Sequence, residues 1–113
     1  MHEDRGEESD EKSDEESDEE RADAELQQCR LLHQALRQAA RTRLDDETRA
    51  LAATDLSLVF STALEGPLQT RAQVTGGGRS VCFCEAELLD SAERTVARAM
   101  GTFRYQQVGA VQR

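Results

Sequence analysis

The chain has 113 residues and a formal net charge of −9, and that charge is concentrated at one end. Residues 1–20 hold twelve acids against Arg5 and Lys12, a net of −10, whereas the remaining 93 residues are balanced to about +1. The length admits one modest domain. No stretch approaches the roughly 20 apolar residues of a membrane span, and an acidic start excludes a signal or transit peptide as the reading of the N-terminus. Three cysteines without a signal point to free thiols in a reducing compartment, cytoplasmic or nuclear, rather than to a disulfide framework.

The first twenty residues contain a single apolar side chain, Met1. They cannot bury enough surface to offset roughly 1–2 kcal/mol of backbone ordering per residue, so they are expected to form a disordered acidic tail (1–20) before a small helix-rich interaction module (21–113). Within the tail, Ser13 and Ser17 each have an acid three positions on and resemble sites for an acidophilic kinase such as casein kinase 2. Phosphorylation at either would add about −1.5 to −2 charge.

From Arg21 onward the pattern turns helical. Leu26, Cys29, Leu32, Leu36, Ala40, Leu44 and Leu51 recur at spacings of three, four and seven, with no Gly or Pro among them. The spacing predicts one amphipathic helix over about 22–53. So long a stripe in so short a chain predicts a partner: another subunit, or a second copy. Leu26, Leu32, Leu36, Leu44 and Leu51 are its expected anchors. Arg43 and Glu47 interrupt the heptad, which favours a hairpin or bundle over a long coiled coil. Arg30, Arg37 and Arg41 share one face and are candidates for an acidic contact, the chain's own tail included.

Leu56 to Leu64 fits a helix or a short buried strand, and Gly66-Pro67 as a stop favours the helix. Leu68 to Val74 and Ser80 to Cys84 read as extended segments around a Thr75–Arg79 turn with three glycines. Glu85 to Met100 reads as a second helix, with Leu88, Leu89, Ala92, Val96, Ala99 and Met100 as its stripe. Phe103, Tyr105 and Val108 suit a final strand.

Catalytic and metal chemistry find little support. Cys82 and Cys84 would share a face in a strand, but a structural zinc site takes four ligands in spaced pairs, so they are read as small core residues. The glycine run lacks the Gly-Lys-Ser/Thr ending of a nucleotide loop. His33, in mid-helix, reads as a boundary residue, and the paired acids as solvated charge. A −10 tail on a near-neutral body speaks against direct nucleic-acid binding. The expectation from sequence is therefore a mainly α fold, with a small β-hairpin (an α+β arrangement) as the alternative. The expected function is a non-enzymatic adaptor subunit that docks through its amphipathic helix. No cofactor or metal is expected. The alternative function is an acidic-tail binder of histones or other basic proteins.

Overall fold

A computed structural model describes residues 2–44, 46, 48–61 and 66–107, with side chains described from Asp18 onward. One helix, α1 (His2–Arg43), is followed by four strands: β1 (Arg49–Phe60), β2 (Gln69–Gly77), β3 (Val81–Leu89) and β4 (Thr95–Gln107). The strands form a single antiparallel sheet in the order β1-β4-β3-β2, and α1 lies across one face of it. This is not a mainly α fold. Among the described residues the second helix is absent, and the hairpin that was the alternative, β2–β3, forms one edge of a four-stranded sheet.

The packed part of α1 begins at Gln28. Described side chains before it, from Asp18 to Gln27, are exposed, Leu26 at 67% among them. Gln28, Leu32, Leu36 and Ala40, each four residues after the last, form the row pressed onto the sheet. Such a row is one i, i+4 face of a helix. Opposite it stand alternate residues of the strands: Cys82, Cys84, Ala86 and Leu88 from β3, and Ala97, Ala99, Phe103 and Tyr105 from β4. Their partners in sequence, Glu85, Arg98 and Arg104, face away. The helix thus finds its apolar complement within the same chain.

Three corrections to the sequence reading follow. The helix expected over 22–53 ends at Arg43, and the residues from Arg49 form an edge strand paired with β4 from Arg49↔Gln107 to Phe60↔Ala97. An Asx turn makes the break: Asp46 Oδ1 accepts from the Thr48 amide at 3.0 Å and its hydroxyl at 2.6 Å. The segment favoured as helix over 56–64 is strand as far as Phe60, and 62–65 lie outside the described residues.

The third correction is the supposed helix over 85–100, which is two strands and a reversal. Asp90 Oδ1 accepts from the amides of Ala92 and Arg94, both at 2.9 Å, and Oδ2 accepts from Arg94 Nε and Nη2 at 3.1 and 2.9 Å. Glu93 takes a positive φ of 63° to close the turn. Two period-two strands joined by this short turn mimic a three-four spacing. The final strand was expected at Phe103 and Tyr105. It is β4, which starts earlier, at Thr95, and Val108 lies outside the described residues.

Gly101 is the tightest point beneath the helix. A Cβ there would lie 3.2 Å from Leu36 Cδ1 and 3.2 Å from the Phe103 ring. The missing side chain is what lets Leu36 reach the sheet.

Candidate functional site

The row that α1 buries has two flanks. On one, Ala35, Gln38, Ala39, Thr42 and Arg43 face the edge strand β2, where Thr70, Ala72 and Val74 alternate toward the helix with Gln73 beside them. Between them lies an open cleft of about 580 Å³. Its walls are narrow because alanine stands at 35, 39 and 72. Gln38, Thr42, Arg43 and Thr70 are its polar side chains, and Gln73, paired with Glu85, borders it from the far face of β2. No carboxylate, histidine or cysteine is among the lining residues. Thr42 Oγ1 donates to the Gln38 carbonyl at 2.8 Å, which fixes its rotamer and leaves its oxygen lone pairs free.

Arg43 ends the cleft. Its Nη2 donates to the Gly78 carbonyl at 3.0 Å, and its guanidinium carbon lies 5.9 Å from the Tyr105 ring centroid. Hydrogen bonding to Tyr105 raises its pKa further, so the charge is permanent. Arg49 approaches the same ring at 5.8 Å and donates to the carbonyls of Arg79 and Tyr105, each at 3.0 Å. Its Nε is buried with no hydrogen-bond partner. Arg41 donates to the Asp46 and Arg49 carbonyls at 3.3 and 3.0 Å. These cations gather at the helix C-terminus, where the dipole favours them.

On the other flank, the helix leaves β1 partly uncovered. Leu56 and Phe60, which pair with Gly101 and Ala97, are 39% and 40% exposed. His33 stacks on Phe103 there with 6.3 Å between ring centroids, as a boundary residue would.

Beneath the helix, the thiols of Cys82 and Cys84 lie 3.5 Å apart and are buried. Burial first, then the hydrogen bond to Cys82, pushes the Cys84 thiol up to about 12. Burial and a hydrogen bond with Cys82 also raise the Tyr105 hydroxyl. That hydroxyl donates to the Ala40 carbonyl at 2.7 Å, tying β4 to the helix. Among the described residues, no three His, Cys, Asp or Glu side chains converge as a metal site would require, and no helix is long and apolar enough to cross a membrane.

The residues expected to anchor a partner are dispersed. Leu32 and Leu36 are fully buried against the chain's own sheet, Leu51 is buried in β1, Leu44 is half-buried, and only Leu26 is exposed. Arg30 is exposed, Arg37 donates to the Leu51 carbonyl at 3.3 Å, and Arg41 braces the turn into β1. Ser13 and Ser17 belong to the part of α1 whose side chains are not described. Of the cleft residues, the sequence reading named Arg43 as a break in the heptad and none as an expected site residue. The available signal was the alternation of Thr70, Ala72 and Val74 in a segment already read as extended.

No family model matches the chain, and no curated protein does. Solved structures do. The chain is similar to a Bacillus halodurans protein crystallised with CoA, at TM-score 0.62 and 21% identity over 66% of this chain and 53% of that one. It is similar to AziG of S. sahachiroi at TM-score 0.65 and 20% identity, over 72% and 66%. It is also similar to a thioesterase-type, phenylacetic acid degradation-related protein of Ralstonia eutropha JMP134, at TM-score 0.59 and 27% identity, over 66% and 55%. The architecture these comparisons define is the hotdog fold, a helix wrapped by an antiparallel sheet. The chain spans between about half and two thirds of the length of each of these three. The likeness overturns the non-enzymatic adaptor and its histone-binding alternative. The helical hairpin or bundle goes with it, and so does any coiled coil, because the apolar row of α1 is covered by the chain's own sheet.

Proposed function

We propose that the chain acts on acyl thioesters, as a hydrolase of the coenzyme A type. The observation that carries this reading is the helix-on-sheet fold with an open, small-residue cleft along α1. The CoA in the Bacillus halodurans structure and the thioesterase description of the Ralstonia protein support the substrate class. In such a reaction water adds to the thioester carbonyl, the tetrahedral oxyanion collapses, and the thiolate leaves and takes up a proton. The side-chain amide of Gln38 is the donor in the cleft suited to an oxyanion. Thr42 and Thr70 are suited to hold the water. Arg43 offers a fixed positive charge for a phosphate of the carrier. The acidic first twenty residues have no role in this reaction, and an intracellular setting suits three unpaired cysteines.

The test is release of free thiol from a panel of acyl-CoA esters of increasing chain length. Turnover is expected to fall at least tenfold in Gln38→Ala, with folding intact. A second reading, binding of acyl-CoA without turnover, is favoured by the lack of a carboxylate or histidine among the cleft residues. Titration calorimetry separates the two. Heat of binding with no thiol release selects the second reading, and neither heat nor thiol removes both.

A further inference from the structure

The cleft along α1 has two unlike ends. We propose that it selects the acyl group by length: Ala35, Ala39 and Ala72 flank the chain and Leu31 and Leu68 set its stop, so that saturated acyl groups of up to about eight carbons fit and longer ones do not. Selection of this kind presupposes the acyl-thioester reading above.

Leu31, Ala35, Ala39 and Arg43 follow one another at four-residue spacing in α1, so they share one flank of the helix. The first three directly precede Leu32, Leu36 and Ala40 of the buried row, and the last three line the cleft. Across from them Thr70, Ala72 and Val74 line it from β2, and Leu68, two positions before Thr70, continues that alternation just ahead of the strand. Arg43 donates to the carbonyl of Gly78, one residue past the end of β2, so helix and strand run the same way. Arg43 and Val74 therefore mark one end of the cleft, and Leu31 and Leu68 lie toward the other. Both leucines are half-buried and packed against the core, which fixes them as a wall.

The helix supplies the scale. Measured along its axis, Gln38 stands about 7.5 Å from Arg43 and about 10 Å from Leu31. With the thioester carbonyl at Gln38, the polar carrier leaves by the cationic end and the acyl chain runs toward the leucines. Three backbone bonds span about 3.3–3.6 Å when extended, or about 1.2 Å per bond, so a run of about 10 Å holds about eight carbons. Ala35 lies on that run, only about 4.5 Å from Gln38. Its single methyl leaves the passage open, and a leucine there would close it at about four carbons.

The test uses the full chain and saturated CoA esters from acetyl to palmitoyl, read as kcat/KM for thiol release and in parallel as affinity by calorimetry. The expected profile rises to octanoyl-CoA and falls about tenfold or more by dodecanoyl-CoA. In Ala35→Leu the octanoyl-to-acetyl ratio should fall about tenfold or more, and in Leu31→Ala the dodecanoyl-to-octanoyl ratio should rise by a similar factor. Impaired folding would lower every ester alike and leave these ratios fixed, so the ratios report the position of the acyl chain. A profile that is flat or still climbing at palmitoyl-CoA, or a ratio unmoved in either variant, overturns the length selection, while thiol release or binding keeps the acyl-thioester reading standing. Neither release nor heat with any ester removes that reading, and the length selection with it.

Discussion

Leu26 and Leu36 look equivalent in the sequence, and the structure makes them opposite. Leu36 is fully buried over the notch at Gly101, where an added Cβ would meet its Cδ1 at 3.2 Å, while Leu26 is 67% exposed. Truncating a buried leucine to alanine costs about 2–5 kcal/mol, the larger values where the surroundings cannot collapse. The space left by Leu36 is framed by Leu32 and Ala40 on α1 and by Gly101 and Phe103 on β4, all buried, so collapse is resisted. About 3 kcal/mol is expected. With a urea m-value of roughly 1.5 kcal/mol/M, Leu36→Ala should lower the unfolding midpoint by about 2 M. Leu26→Ala touches nothing buried and should stay within about 0.5 kcal/mol, or roughly 0.3 M. Equilibrium urea unfolding of the full chain, followed by far-UV circular dichroism, measures both. Equal shifts, or a larger shift for Leu26→Ala, would refute the packing of α1 on its own sheet.

Gly101→Ala should destabilise by about 1–3 kcal/mol, because the new methyl must displace Leu36 or Phe103; the same urea assay reads it, and an unchanged midpoint would mean the helix sits farther off. The Asp90 carboxylate is held below its ordinary range, first by the Arg94 amide and also by the Arg94 side chain and the Ala92 amide. A depressed folded-state value means its contribution is complete above the unfolded pKa of about 3.9 and is lost as pH falls through the folded value. Asp90→Asn should therefore lower the melting temperature at pH 6 and flatten its acid limb below pH 4, and parallel pH profiles for the two proteins would contradict this. With the Cys84 thiol pushed up to about 12, only about one part in ten thousand is thiolate at pH 8. Iodoacetamide should consequently modify half-buried Cys29 well before Cys82 or Cys84, with peptide mapping as the readout. Arg43→Gln should raise the KM for an acyl-CoA about tenfold, roughly 1.4 kcal/mol, with little change in kcat. A change confined to kcat would move Arg43 from carrier binding to the reacting centre.

The row of Leu32, Leu36 and Ala40 was legible because a helix on a sheet keeps a clean four-residue spacing. Its occupant was not, because the same apolar row serves a partner or the chain's own strands, and nothing local tells them apart. The strands were harder to read. Cys82, Cys84, Ala86 and Leu88 do alternate with Phe83, Glu85 and Glu87. The bulge between Leu88 and Leu89 and the short reversal at Asp90 then bring Ala92, Val96 and Ala99 onto a three-four rhythm that imitates a helix. In β1 the alternation is blurred because the helix covers that strand least, so Leu56 and Phe60 stay exposed on the inward side. The cleft was invisible for a further reason. Its polar residues come from α1 and β2, elements about thirty residues apart in sequence, and alanine carries no chemical signature.

The charge asymmetry is also redrawn by the fold. An acidic tail folding back onto Arg37 and Arg41 requires a break in the chain between them, yet α1 runs unbroken from His2 to Arg43. At 1.5 Å per residue, Glu20 stands about 31 Å up the axis from Arg41, beyond three Debye lengths at physiological salt. The arginines have meanwhile found other acceptors. Arg37, Arg41, Arg43 and Arg49 donate to main-chain carbonyls of Leu51, Asp46, Arg49, Gly78, Arg79 and Tyr105. Their side chains bind the helix end to β1 and to the β2–β3 turn, and among the described residues none of the four forms a salt bridge. A guanidinium satisfied by carbonyls keeps its positive potential, and Arg43 carries that potential to the mouth of the cleft. The basic residues that suggested an acidic protein partner thus brace the helix end against β1 and the β2–β3 turn, and under the proposed acyl-CoA reading Arg43 is the one placed to meet an anionic ligand.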